Sequence, residues 1–191
     1  RTPILPRNAV FYAGKEGQQV FAVYEPPGMF VLKAHLGDRK TPVSEYSIKL
    51  PHVYYFFHFV REAFEELLVF GSQVPVERTS DSLCRLPLKN TYDDGRVCLG
   101  NDLKFSLEGR IEGKIVKVLE HFKGSVFNAD LDHCMESAVP KFLEEAKREG
   151  ESVLAAWARV SAEASFDPCG REWIVYQTWS NVVDRIFGED T

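Results

Sequence analysis

Three short apolar, β-rich runs open the chain: "VFYAG", "QQVFAVYE" and "MFVLKAHL", separated by "GKEG" and "PPG". Runs of this length between glycine and proline punctuation read as strands of an antiparallel meander, and they commit the N-terminal third to a sheet. The aromatic run "HVYYFFHFV" continues the pattern as a further strand, while "EAFEELLVF" fits a strand or a helix equally well. Pro75, Pro87 and the polar "ERTSDS" then mark an irregular path towards the segment "NTYDDGRVCLGND".

Beyond that segment the period changes. Ile111, Ile115, Val118, Leu119 and Phe122 share one helical face, with Glu112, Lys114 and Lys117 off it and Gly124 just past the end. "SVFNADLDH" reads as an acidic loop. "PKFLEEAKREG" reads as a helix with Pro140 in its first turn and Gly150 as its stop. Val153, Leu154, Trp157 and Val160 place another helix on "ESVLAAWARVSAEA". "FDPCGR" is a turn, and "EWIVYQTWSNVVDRIF" is strand-like early and helical late, with Val182, Val183 and Ile186 inward. Strands first and helices after predict an α+β fold. A chain of 191 residues predicts one domain, 1–191: 1–82 mainly strands, 83–105 a loop region around Cys98, and 106–191 mainly helices.

Charge narrows the partners. A net charge of -5 disfavours a general phosphate-binding surface, so nucleic acid is not an expected partner. No apolar run approaches the roughly 20 residues that cross a bilayer, and a cytoplasmic location without a membrane partner is expected. Cys84, Cys98, Cys134 and Cys169 stand far apart with no CxxC pair, which fits reduced thiols better than disulfides or a zinc knot. His133 beside Cys134 offers only two adjacent ligands, a poor basis for a tetrahedral site. The run "YYFFHF" contains no basic residue and reads as sheet core rather than a base-stacking platform.

Cys98 is the thiol whose setting suggests chemistry. Asp93, Asp94 and Gly95 form a turn, Arg96 can favour a thiolate, and Gly100 with Asn101 opens the chain again so that Cys98 is exposed. The competing reading is a buried structural thiol, since free cysteine is among the most buried residue types. Taken alone, Asn90 reads as a turn former with an Asx hydrogen bond and Asp130 as a solvated loop charge. Tyr92 is expected to pack against the loop.

The segment "PLKNTYDDGRVCLGN", followed by a helix and "FKGSVF", resembles the prokaryotic ubiquitin-conjugating-enzyme-like family. That family includes the B protein of PRTRC gene clusters and the conjugating component of Bil antiphage operons, and the lean is towards the Bil type. Like ubiquitin-conjugating enzymes at large, the chain keeps an asparagine eight positions before a Cys-Leu pair, with a turn glycine between. Leu88 and Lys89 stand where the larger family has His and Pro, and the chain starts with strands rather than an activating-enzyme-docking helix. The resemblance spans residues 83–128 and weakens beyond about 134.

The resemblance implies a ubiquitin-conjugating-like α+β fold with extra C-terminal helices. It also implies a transferase that carries a ubiquitin-like modifier as a thioester on Cys98 and passes it to an amine on a target protein. Asn90 would serve as oxyanion donor or loop brace, and Asp130 as the acidic group that orients the amine. The partners implied are an activating enzyme, the modifier and a target, with no cofactor or metal for this component. Two alternatives are weighed beside it: a non-catalytic module that binds a ubiquitin-like protein, and a cysteine hydrolase drawing on one of His35, His52, His58, His121 or His133.

Overall fold

The computed structural model describes residues 6–35, 42–100, 107–128 and 130–188. Leu36 and Asn101, which figure in the strand and loop expectations above, lie outside these. The fold is α+β. Six antiparallel strands form the main sheet in the order β1 (Ala9–Lys15), β2 (Gln18–Glu25), β5 (His52–Val60), β6 (Ala63–Ser72), β7 (Ser82–Cys84) and β9 (Val175–Thr178). A second sheet orders β4 (Val43–Leu50), β3 (Gly28–His35) and β8 (Val126–Phe127), with β8 parallel to β3.

The expected simple meander therefore breaks after its second strand. Pro26 and Pro27 cannot donate ladder hydrogen bonds, so the chain leaves the first sheet there and β3 starts the second. β2 pairs instead with β5 along its whole length, from Gln18 opposite Val60 to Glu25 opposite Val53. β5 is the central strand and is buried on both faces. Val53, Tyr55, Phe57 and Phe59 point into a core shared with the second sheet and most of the helices, while Tyr54 and Phe56 point into a smaller core on the other side. Two-sided burial is why its sequence is an almost unbroken aromatic run.

β6 resolves the segment that read either way. Its register against β5 slips between His58 and Phe59, so that Glu65 has no cross-strand partner. This bulge lets Phe64 and Leu67 face the same core at a spacing of three, which imitates a helical period. β4, with Tyr46, Ile48 and Leu50 inward, is a strand that the sequence reading passed over.

Helix α1 (Ile111–Gly124) buries Ile111, Ile115, Val118 and Phe122, as its periodicity predicts. The stretch expected as a loop instead contains β8 and the short helix α2 (Asp132–Glu136). Helix α3 (Lys141–Ala146) starts after Pro140 but ends well before Gly150, because the Arg159 guanidinium donates to the Ala146 carbonyl and so satisfies the end of the helix early. Helix α4 (Val153–Ser161) is capped by the Ser152 hydroxyl, which accepts from the Ala155 N–H at 3.1 Å. The final segment turns from β9 directly into α5 (Trp179–Ile186), whose Trp179, Val182, Val183 and Ile186 cover the smaller core. Among the described residues no helix is long and apolar enough to cross a membrane.

Candidate active site

The Cys98 loop is a small hairpin laid along β6. The Tyr92 N–H donates to the Arg96 carbonyl at 2.8 Å, Thr91 bridges Val97, and the Cys98 N–H donates to the Asn90 carbonyl at 2.7 Å. Gly95 closes the turn with its N–H on the Tyr92 carbonyl and φ at +85°, a conformation in which a Cβ is strained. Any Cβ there would also overlap the Phe70 ring. The second arm pairs outward, with the Val97 N–H on the Leu67 carbonyl and the Val69 N–H on the Gly95 carbonyl, both at 2.8 to 2.9 Å.

This register gives the eight-residue spacing a physical reason. Asn90 and Cys98 are opposite one another in the hairpin, as are Tyr92 and Arg96, and cross-strand partners project to the same face. The Arg96 guanidinium accordingly lies over the Tyr92 ring, 5.4 Å from its centroid. Tyr92 and Cys98 line the same cleft, and there the sulfur's charge and hydrogen bonding hold the phenol above its ordinary pKa. Tyr92 packs against Arg96 of the loop, as expected, and also borders the cleft beside Cys98.

Cys98 is exposed, whereas Cys84 and Cys134 are buried and Cys169 is half-buried. Burial pushes the Cys84 thiol up to about 12, far from any thiolate role at neutral pH. Burial also raises Cys169, with the Asp167 charge adding to it. Arg96, expected to act on Cys98, is taken up by Asp94: its Nε donates to Oδ2 at 2.6 Å.

Cys98 stands between two clefts. One, of about 240 Å³, is lined by Asn90, Cys98, Ser125, Asn128 and Asp130 among others, so the three predicted site residues share it. Asn90, with φ at +64°, accepts the Asn128 N–H on its side-chain oxygen at 3.2 Å. Its NH2 therefore remains the donor side of the amide. Asn128 in turn accepts the Asp130 N–H at 3.0 Å, which ties Asp130 to the loop that Asn90 braces. The other cleft, of about 610 Å³, runs past Tyr92 and Arg96 to Glu65, Glu66 and His58. A third, aromatic concavity of about 300 Å³ around Phe11, Tyr24, Tyr54 and Trp179 shares no residue with either.

The rigidity that His and Pro would give this loop comes here from other residues. Leu88 is 1% exposed and anchors in the main core. Lys89 is 3% exposed, and its Nζ meets Asp132 Oδ1 of α2 at 2.6 Å. The Thr91 hydroxyl donates to the Leu88 carbonyl. Asp93 accepts from Arg85 at 2.8 Å and from the Ser137 hydroxyl at 2.6 Å, and these two donors hold its carboxyl below the usual aspartate value. Arg85 also donates to the Cys134 carbonyl at 3.0 Å. Arg85 and Asp132 are thus structural residues of the site that the sequence reading did not single out, and Lys89, noted there only as a departure from the larger family's pattern, is a third.

Four histidine rings have partners other than the Cys98 sulfur, although His58 lines the larger cleft with Cys98 and His121 reaches the residue beside it. His52 meets Tyr24, His58 meets Gln18 and Glu66, His121 meets the Leu99 carbonyl, and His133 meets the Cys134 sulfur at 3.2 Å. Among the described residues no three His, Cys, Asp or Glu side chains gather as a metal ion would require. Models of protein families, curated proteins and solved structures were compared with the chain, and none matches.

Proposed function

We propose that the protein is a ubiquitin-conjugating-like transferase that carries a ubiquitin-like modifier as a thioester on Cys98, in a pathway of the Bil antiphage type. The observation that carries this reading is the exposed Cys98 thiol sharing one cleft with Asn90 and Asp130. In the first step the Cys98 thiolate attacks the thioester carbonyl that links the modifier to its activating enzyme. That enzyme's cysteine leaves as thiolate, so one thioester replaces another and no cofactor is consumed at this site. In the second step a target amine attacks the new thioester, the Cys98 sulfur leaves, and the amine's surplus proton passes towards the Asp130 carboxylate or water.

The Asn90 NH2 is the donor for the oxyanion of the second step, where one such donor lowers the barrier by about 3 kcal/mol. Tyr92 supplies a proton-bearing hydroxyl in the cleft beside Cys98. The fold belongs, in this reading, with ubiquitin-conjugating enzymes, and the protein works in the cytoplasm with an activating enzyme, a modifier and a target. The rings of His52, His58, His121 and His133 are partnered by Tyr24, Gln18, the Leu99 carbonyl and the Cys134 sulfur rather than by the Cys98 sulfur, which favours transfer over the hydrolase alternative. An exposed thiol in one cleft with Asn90 and Asp130 favours it over a mere binding module.

The test is a mixture of the protein with ATP and a ubiquitin-like protein and adenylating enzyme taken from its own genomic neighbourhood, run on a non-reducing gel. A thiol-sensitive adduct lost in Cys98→Ala supports transfer. Binding without an adduct supports the module, and cleavage of a modifier fusion by the purified protein alone supports the hydrolase.

A further inference from the structure

The C-terminal helix reaches the nucleophile through a chain of contacts that no local sequence feature suggests. Arg185 on α5 donates to the Asp94 carbonyl at 2.8 Å across 91 residues, and its other amino group donates to the Tyr176 hydroxyl at 2.8 Å. Tyr176 stacks on Phe70 at 5.5 Å and 17°, and Phe70 is the ring against which Gly95 closes the turn. The turn is therefore held at two points: a guanidinium on its carbonyl and a ring against its glycine. Asp94 then holds Arg96 through its carboxylate, Arg96 lies over Tyr92, and Tyr92 lines one cleft with Cys98.

We infer that Arg185 is a positioning residue for Cys98, acting through Asp94, Arg96 and Tyr92. The inference rests on the reading of Cys98 as the working nucleophile. Helix α5 does not depend on this link for its own anchorage, because Trp179, Val182, Val183 and Ile186 hold it in the smaller core. A planar guanidinium with two fixed donors sets the place of a carbonyl more sharply than an ammonium can. The C-terminal segment thereby becomes part of the active site's support rather than an appendage, and a ligand that shifted α5 would alter chemistry at the sulfur.

The test reads Cys98 directly, as its rate of alkylation by iodoacetamide at pH 7, followed by peptide mass in wild type, Arg185→Ala, Tyr92→Phe and the double variant. A phenol O–H in the same cleft can donate to the sulfur anion that reacts, so each single change slows alkylation about threefold, the scale of one net hydrogen bond. If both act along one chain, the double variant is no slower than either single, whereas independent effects would multiply to about ninefold. Arg185→Lys, which keeps the charge and one donor, falls between wild type and Arg185→Ala. Should Arg185→Ala fail to fold, Arg185→Lys and Tyr176→Phe carry the same cycle. A wild-type rate in the Arg185 variants, or multiplicative effects, would overturn the inference whatever the protein transfers. A wild type that alkylates normally but never accepts a modifier would instead refute the proposed function and leave the coupling standing.

Discussion

Asn90 and Cys98 face each other across the last rung of the Tyr92–Arg96 hairpin, with the Cys98 N–H on the Asn90 carbonyl at 2.7 Å. The same asparagine accepts the Asn128 N–H on its side chain, so one residue fixes the nucleophile's strand and the loop opposite it. Its left-handed backbone is one that asparagine and, with no strain at all, glycine adopt more readily than most residues. Asn90→Gly therefore removes the amide without straining the chain. We expect Cys98 to charge normally in this variant and to discharge to lysine about 100-fold more slowly, the scale of a lost oxyanion donor, measured by single-turnover discharge.

Gly95 cannot be replaced without moving the site. Its positive φ and its contact with the Phe70 ring act together, and Gly95→Ala should cost about 3 kcal/mol in denaturant unfolding. Gly100→Ala is the comparison: it shares the positive φ but has nothing within 4 Å of its Cβ, and should cost about 1 kcal/mol.

The Lys89–Asp132 pair predicts an asymmetry. Lys89 is buried, whereas the Asp132 side chain is 34% exposed and can recover water. Asp132→Ala strands a buried ammonium and should cost about 3 kcal/mol, while Lys89→Met in the Asp132→Leu background should restore most of the loss. A cost for Lys89→Met alone equal to that of Asp132→Ala, read from denaturant midpoints, would contradict this.

Asp93 gives the loop a pH dependence. Its carboxyl is held below the ordinary value by Ser137 and then Arg85. A depressed folded-state value contributes stability that is complete above the unfolded value of about 4 and is lost as pH falls through the folded value. Asp93→Asn should thus lower Tm at pH 7, and the difference from wild type should close under acid. The effect is small because the side chain is 64% exposed.

How far the sequence could be read depended on the range of each contact. The helix on Ile111 to Phe122 and the strand on β5 are visible because burial of one face, or of both, writes itself into a short run. The strand β6 was ambiguous because its bulge at Glu65 shifts the period locally, and the meander failed at Pro26–Pro27, where pairing passes to a strand nearly thirty residues on. Cys98 and Asn90 were legible for a similar reason, since the hairpin relating them is nine residues long. The supports were not. Lys89 finds Asp132 and Arg185 finds Asp94 across gaps that periodicity cannot see, and the place of Tyr92 in a cleft with Cys98 depends on a hairpin register that only the folded chain fixes.

The most direct measurement is the mass of the intact protein after incubation with ATP, the adenylating enzyme and the ubiquitin-like protein, followed by peptide mapping. The account predicts one modifier added with loss of one water, on Cys98, removed by hydroxylamine and missing in Cys98→Ala. An unmodified Cys98 beside a fully charged activating enzyme, or an adduct that persists in Cys98→Ala, would contradict it.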